Sequence, residues 1–384
     1  MNVRGTTLCA VLLALSSLSV AKQSQLEALE AELDNIAQAN ISISGPGCTF
    51  GVIRDKKFLI KKSYGMASVE HQAPLSSNSV FSMASVSKQF TGFAVLLLAD
   101  QGKIDLNDDI RRHLPDLADY GAKVTISSML GHFSGMADYD TLKKLLPKPL
   151  LSSAGGPFRL GDEDYLTNEE YYDVIRSLPL EYQPDTKQAY SNFAYYLLSE
   201  LVASVSGMSM REFTTKYMFE PLSMKSTFFA DDMREIVPNR AEGYRTFEEG
   251  GLKRYETNIF VLGDGGLYTT LEDMLIWDNH FYAPILGKDP KILMLKFNTP
   301  NSQHTAENNG ISFYANGQYM EPKYTFHNGG WMGTRTSYIR RPEEQTSFVG
   351  MCNSSSIYAN IFTYEVPKIL TQLKMWGVTD PELF

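Results

Sequence analysis

A chain of 384 residues that is 43% apolar and 21% charged has ordinary globular composition, enough for one large domain or two lobes with cores of their own. Its formal charge of −9 argues against nucleic acid or an anionic membrane as a partner. There is no Cys-x-x-Cys and the six histidines are scattered, so no metal site is expected, and nothing asks for a cofactor.

Residues 1–21 carry Arg4, an apolar run from Cys9 to Val20 and the small-x-small site Ser19-Val20-Ala21. That pattern is a secretory signal peptide, too short to span a bilayer, and it predicts an exported, periplasmic or secreted protein. Its removal takes one positive charge, Arg4, so −9 becomes −10. Cys48 and Cys352 then remain, either as a disulfide in an oxidising compartment or as two buried thiols.

In the mature chain, Leu26, Leu29, Leu33 and Ile36 predict an amphipathic helix over Gln25 to Ala39. The β-rich runs Cys48 to Arg54 and Phe58 to Tyr64 predict a hairpin around Asp55-Lys56-Lys57. An apolar helix follows from Phe90 to Leu98, and residues 138–166, mixed and aperiodic, read as the rim or lid of a site. Thr167-Asn168-Glu169-Glu170 has capping-box form, and Asn192 to Val205 is a helix stopped by Gly207. Later come a helix at Leu271 to Phe281, strands at Ile311 to Tyr319, Thr334 to Arg340 and Thr346 to Met351, and a helix from about Tyr364 to Trp376. Strands at both ends and helices between them predict an α+β fold. An antiparallel sheet flanked by helices (about 22–88 and 260–384) would face an all-helical lobe (about 89–259) across a cleft.

Chemistry concentrates in three places. Ser85 and Lys88 stand one helical turn apart at the start of the apolar helix, so the lysine can take the serine's proton if burial lowers its pKa. A helix N-terminus also favours an oxyanion. Ser-x-x-Lys arises ~1 time by chance in such a chain, and Ser85 can equally be a helix cap with Lys88 in solvent. Tyr-x-Asn occurs at Tyr190, Tyr314 and Tyr358; only Tyr190-Ser191-Asn192 lies at a loop-to-helix junction able to face Ser85. His327-Asn328-Gly329-Gly330-Trp331, between predicted strands, offers a histidine and glycines that let backbone approach a ligand. His132 reads as structural. Gly-x-Ser-x-Gly, the mark of an α/β-hydrolase, is absent.

Together these motifs resemble the serine β-lactamase and penicillin-binding protein superfamily, and most closely its class C β-lactamase-like branch of D-Ala-D-Ala carboxypeptidases, D-aminopeptidases and esterases. Further landmarks in that branch's order are Gly102 to Asp109, Leu114-Pro115, His132 to Gly135, Asp264 to Thr270 and His327 to Gly330. The resemblance implies Ser85 as the acylated nucleophile, Lys88 as its proton acceptor and Tyr190 as the group that assists the leaving group and the deacylating water. His327 completes the catalytic set. Asn192 would bind the substrate's amide, with the N–H groups of Ser85 and Gly330, beside Gly329, as oxyanion hole. Arg335 would meet a substrate carboxylate, or else be a solvated strand residue. His327 stands where β-lactamases of this branch have lysine, and Asp185 where many relatives have glycine. The expected function is an acyl-enzyme serine hydrolase of a small amide, peptide or ester. The alternatives are a class C-like β-lactamase or a non-catalytic binder of penicillins or cell-wall peptides. Oligomeric state is left open.

Overall fold

The computed structural model describes residues 23–145, 167–232, 234–257, 259, 261–300 and 313–376. The leader expected over 1–21 and most of the rim segment 138–166 lie outside the described residues. The main sheet has seven strands: β1 (Cys48–Arg54), β2 (Lys57–Tyr64), β3 (Phe313–Ala315), β4 (Gln318–Met320), β5 (Thr325–Trp331), β6 (Thr334–Arg341) and β7 (Thr346–Cys352). They lie in the order β3-β4-β5-β6-β7-β1-β2, antiparallel throughout. The N-terminal hairpin thus joins the C-terminal strands through β1 and β7. There Val52 faces Phe348 and Cys48 faces Cys352, and the two cysteines form a disulfide. The β1–β2 turn places Asp55 and Lys56 at positive φ, the two-residue geometry that matches strand twist.

Among the helices are α1 (residues 23–40), α2 (Lys88–Asp100), α3 (Ile126–Leu130), α4 (Tyr139–Leu145), α5 (Asn168–Ile175), α6 (Asn192–Ser206), α7 (Leu271–Tyr282), α8 (Pro290–Phe297) and α9 (Asn360–Gln372). On one face of the sheet, Phe50 and Val52 pack with Leu29 and Leu33 of α1 and with Phe362, Val366 and Leu370 of α9. Each such side chain contributes about 1.5–3 kcal/mol relative to exposure, so apolar faces rather than intrinsic propensity hold the two helices there. The other face belongs to a larger core that takes in Phe90, Phe93 and Leu97 of α2, Tyr195 and Leu198 of α6, and Trp277 of α7. From Lys88 to Leu98 every residue of α2 is buried, the mark of a helix enclosed on all sides. The arrangement is the α+β one expected, a helix-backed antiparallel sheet facing a helical side.

Four details differ from the expectation. His327 to Trp331 is the second half of β5 rather than a turn, because the low strand propensity of its paired glycines is outweighed by pairing with β6 and by packing on the Ser85 turn. The run Ile311 to Tyr319 is broken, within its described part, into the β3–β4 hairpin around Asn316-Gly317, both at positive φ. The middle of the chain is not wholly helical. Phe81–Ser82, Leu267–Thr269 and Phe228–Phe229 make a small sheet, and Tyr244–Phe247 pairs with Gly251–Arg254. Finally, α9 starts at Asn360 and carries Pro367 inside, since its buried face already begins at Phe362.

Candidate active site

Ser85 sits in a single tight turn, Ala84–Ser87, that runs directly into α2. Ala84, just before it, holds φ at 46°, a left-handed conformation uncommon for a residue with a side chain. Such a conformation persists where the surroundings dictate it, and here they do. Thr334 Oγ1 donates to the Ser82 carbonyl at 2.9 Å and Thr336 Oγ1 to the Met83 carbonyl at 2.8 Å. The Met83 N–H donates to the Leu267 carbonyl at 2.8 Å. On β5, a Cβ at Gly329 would lie 2.1 Å from Thr336 Oγ1 and 2.4 Å from the Met83 carbonyl, so only glycine lets the strand lie this close to the serine turn.

Lys88 is completely buried. Its Nζ lies 3.3 Å from Ser85 Oγ and donates to Asn192 Oδ1 at 2.7 Å and to the Asp264 carbonyl at 2.5 Å. Three acceptors match the three protons of an ammonium. Burial lowers its pKa to about 8, although the nearby charges of Asp264 and Asp138 pull the other way. A solvated helix-surface lysine is therefore excluded. Asn192 is the first residue of α6, set there by the Ser191 hydroxyl, which accepts from the Ala194 N–H at 3.0 Å. Its Nδ2 donates to Asp138 at 3.0 Å.

Tyr190 presents its ring to Lys88, with Nζ 4.8 Å from the ring centre. Burial raises its pKa well above the ordinary 10. The neighbouring Ser85 hydroxyl acts in the opposite direction, but the approach falls outside hydrogen-bond geometry and Tyr190 Oη is buried without a partner. His327 is buried on β5, with Nδ1 2.6 Å from the Asn328 carbonyl and Nε2 3.0 Å from Tyr314 Oη. Since a carbonyl only accepts, Nδ1 carries the proton and Nε2 accepts from Tyr314. Burial first, then the charge of Lys88, lowers its pKa to about 3, so the ring is neutral. Its ring centre is 6.2 Å from that of Tyr190. His132 accepts from the Ser191 N–H at 3.2 Å and stacks on Tyr190 and Tyr314, which is structural work. Tyr314 itself, passed over in favour of Tyr190 among the three Tyr-x-Asn sites, is part of this floor.

In front of Ser85 opens a cavity of about 120 Å³ lined by Ser85, Asn192, Gly330, Trp331, Tyr139 and Asp264, among others. β4 pairs with β5 only at Thr325 and Phe326, so among the described residues no strand is paired to that side of β5 beyond them. Asp264 is buried, and burial raises its pKa to about 6 against the opposing effects of Lys88 and of Tyr139, whose Oη donates to Asp264 Oδ2 at 3.1 Å. The Tyr139 ring in turn packs 5.4 Å from Trp331. Sequence reasoning gave Asp138, Tyr139 and Asp264 no role. Their signal was slight: an acid set among Gly263, Gly265 and Gly266, and a pair at the start of the rim. Arg335 is not brought to the cavity. It shares its side of β6 with Ser337, whose hydroxyl meets Thr363 of α9 at 2.8 Å, and its Nη1 donates to the carbonyls of Thr334 and Trp331 at 3.0 and 3.2 Å. Alternation along a strand is the cause: Thr334 and Thr336 face the serine turn, so Arg335 faces away. Among the described residues, no cluster of three or more His, Cys, Asp or Glu is placed to hold a metal ion.

Comparison with known proteins adds a family. The family model described as Beta-lactamase matches residues 31–359. A D-aminopeptidase of Gluconobacter oxydans is 27% identical over 314 residues, covering 81% of this chain and 56% of that protein. Protein flp of Staphylococcus aureus is 25% identical over 338 residues, covering 85% and 62%. The chain therefore spans less than two thirds of the length of these relatives. Among solved structures, an octameric penicillin-binding protein homologue from Pyrococcus abyssi matches with a TM-score of 0.73 at 23% identity, over 90% of this chain and 80% of that one. A penicillin-binding protein from Bacillus halodurans matches with 0.71 at 22%, over 87% and 98%. At these identities the structures speak for the fold.

Proposed function

This chain belongs to the beta-lactamase family, and we propose that it works as an exported serine hydrolase that forms an acyl-enzyme on Ser85. The observation that carries the reading is Lys88 Nζ at 3.3 Å from Ser85 Oγ, with burial lowering its pKa to about 8. Neutral Lys88 takes the Ser85 proton as Oγ attacks a carbonyl carbon. The oxyanion is held by the N–H groups of Ser85 and Gly330. Tyr190, protonated at all physiological pH, donates to the leaving amine or alkoxide and is reprotonated from Lys88; water then releases the acid by the reverse relay. Neutral His327, fixed by Tyr314, supports the floor under Tyr190 rather than exchanging protons with Ser85.

A small amide, peptide or ester without a carboxylate beside the scissile bond fits best, because no described cavity-lining residue is cationic. That counts against β-lactams and D-Ala-D-Ala peptides, which both carry such a carboxylate. The Cys48–Cys352 disulfide and the leader support export. No helix among the described residues is long and apolar enough to cross a membrane. The test is labelling by a fluorophosphonate probe together with hydrolysis of p-nitrophenyl esters, D-Ala-D-Ala peptides and nitrocefin, with Ser85→Ala as blank. Labelling and ester turnover that vanish in the variant are expected. Labelling by neither enzyme, or equally of both, overturns the reading.

A further inference from the structure

We propose that Asp138 is a positioning residue for acyl transfer: it locks the Asn192 amide with its oxygen toward Lys88 and so aims the lysine's electron pair at Ser85. The proposal rests on the acyl-enzyme reading and gives a task to a residue that does not line the cavity.

As base, Lys88 is a neutral amine with two N–H groups and one electron pair. Around its Nζ stand Asn192 Oδ1 at 2.7 Å, the Asp264 backbone carbonyl at 2.5 Å and Ser85 Oγ at 3.3 Å. The first two only accept, so they take the two N–H groups and leave the electron pair for the serine hydroxyl. The Asp264 carbonyl is backbone and cannot turn. Asn192 can, because a half-turn of its amide exchanges oxygen and NH2. Once turned, the NH2 would donate into the lysine's electron pair and compete with the serine proton.

Asp138 opposes that half-turn. Its two carboxylate oxygens accept from Asn192 Nδ2 at 3.0 and 3.2 Å. A carboxylate has no proton to give, so only the NH2 can face it, in a charge-assisted bond that the turned amide would lose. The backbone sets the pair in register. Ser191 Oγ donates to the Ala137 carbonyl at 2.8 Å, next to Asp138, while it accepts from the Ala194 N–H to start α6. The Ser191 N–H donates to His132 Nδ1 at 3.2 Å and the Ala189 N–H to the His132 carbonyl at 2.8 Å. The residues before Asp138 are thereby tied to those before Asn192. The charge of Asp138 reaches Lys88 as well. Among the described residues, Asp264 and Asp138 favour the ammonium form, His132 and His327 are neutral, and Tyr190 and Tyr195 present ring faces at 4.8 and 5.8 Å.

The test is the rate of fluorophosphonate labelling of the full chain, followed against probe concentration and pH. It compares wild type, Asp138→Asn, Asp138→Ala, Asn192→Ala and the doubles that combine Asn192→Ala with each Asp138 change. Asp138→Ala should slow labelling at saturating probe about tenfold or more and leave the half-saturating concentration unchanged. Asp138→Asn keeps one acceptor and should lose less. Its rate should rise at lower pH than in the wild type, since a charge that favours protonated Lys88 is gone. With Asn192→Ala already present, Asp138→Ala should slow saturated labelling no further, whereas a merely structural role would add its cost in either background. Thermal unfolding checks that the variants are folded, and Asp138→Asn carries the cycle if Asp138→Ala does not fold. Losses that multiply in the double variant, a change confined to the half-saturating concentration, or an unmoved pH dependence overturns the proposal alone. No labelling of the wild type overturns the acyl-enzyme reading, and this proposal with it.

Discussion

The two sides of Ser85 are held by different physics. Behind it, Lys88, His132, His327 and Tyr314 are buried against one another, and most of their polar atoms are committed to partners within the protein. In front, Asp264, Tyr139, Gly330 and Trp331 border open space, and none of the described residues that line it is cationic. The rear fixes proton positions and hence the reaction. The front is a surface whose preferences are completed by whatever binds, and so it decides the substrate. Lys88 belongs to both, which makes it the place where the contrast can be broken most severely.

Lys88→Met removes the proton acceptor while keeping the length of the side chain, and kcat/KM for an ester should fall ~10²–10⁴-fold. In the wild type the pH profile supplies the sign. The working form is neutral Lys88, whose pKa is lowered to about 8, so the rate rises with pH up to about that value and levels above it. His327, lowered to about 3, is already neutral across this range and should add no limb near the ordinary histidine value. A limb there that disappears in His327→Gln would make the histidine a proton carrier and move it out of the structural floor.

Gly329→Ala acts on the joint between the two sides. The added Cβ meets Thr336 Oγ1 and the Met83 carbonyl well inside contact distance, and the latter is backbone that cannot rotate away. Overpacking of this kind costs about 1–3 kcal/mol. Because the strain falls on the turn that carries Ser85, kcat should drop about tenfold or more along with the unfolding temperature. Lost stability with unchanged kcat would show that the serine turn is set by α2 alone.

The same contrast explains what could be read from sequence. Ser85, Lys88, Tyr190 and Asn192 form two short local motifs at helix starts, where spacing of three or fewer residues fixes relative position. The β1–β2 hairpin and α6 announced themselves through β-rich runs and a glycine stop. The front wall had no such grammar. Asp264 meets Tyr139 across 125 residues of chain, and nothing in either neighbourhood announces the pairing. Tyr314 was passed over because the turn signal Asn316-Gly317 went unread, and that turn folds β3 back so that Tyr314 reaches His327. Arg335 failed for the opposite reason. Nearness in sequence to His327 suggested a role, but strand parity turns it to the other face.

Arg335 is therefore the smallest expected effect and the sharpest check on the front wall. Its guanidinium spends its donors on the carbonyls of Trp331 and Thr334 and lies 5.7 Å from the Tyr358 ring, half-buried on the α9 side. A side chain so placed is worth about 0.5 kcal/mol, so Arg335→Ala should change kcat/KM by no more than about twofold. The measurement gains its force from a matched pair of esters, one with a carboxylate beside the reacting carbonyl and one without. If the arginine faces away, both shift alike. A selective loss on the carboxylate ester means that Arg335 swings round to the cavity on binding. The front wall would then carry a cation opposite Asp264, and a substrate carboxylate would have a partner there.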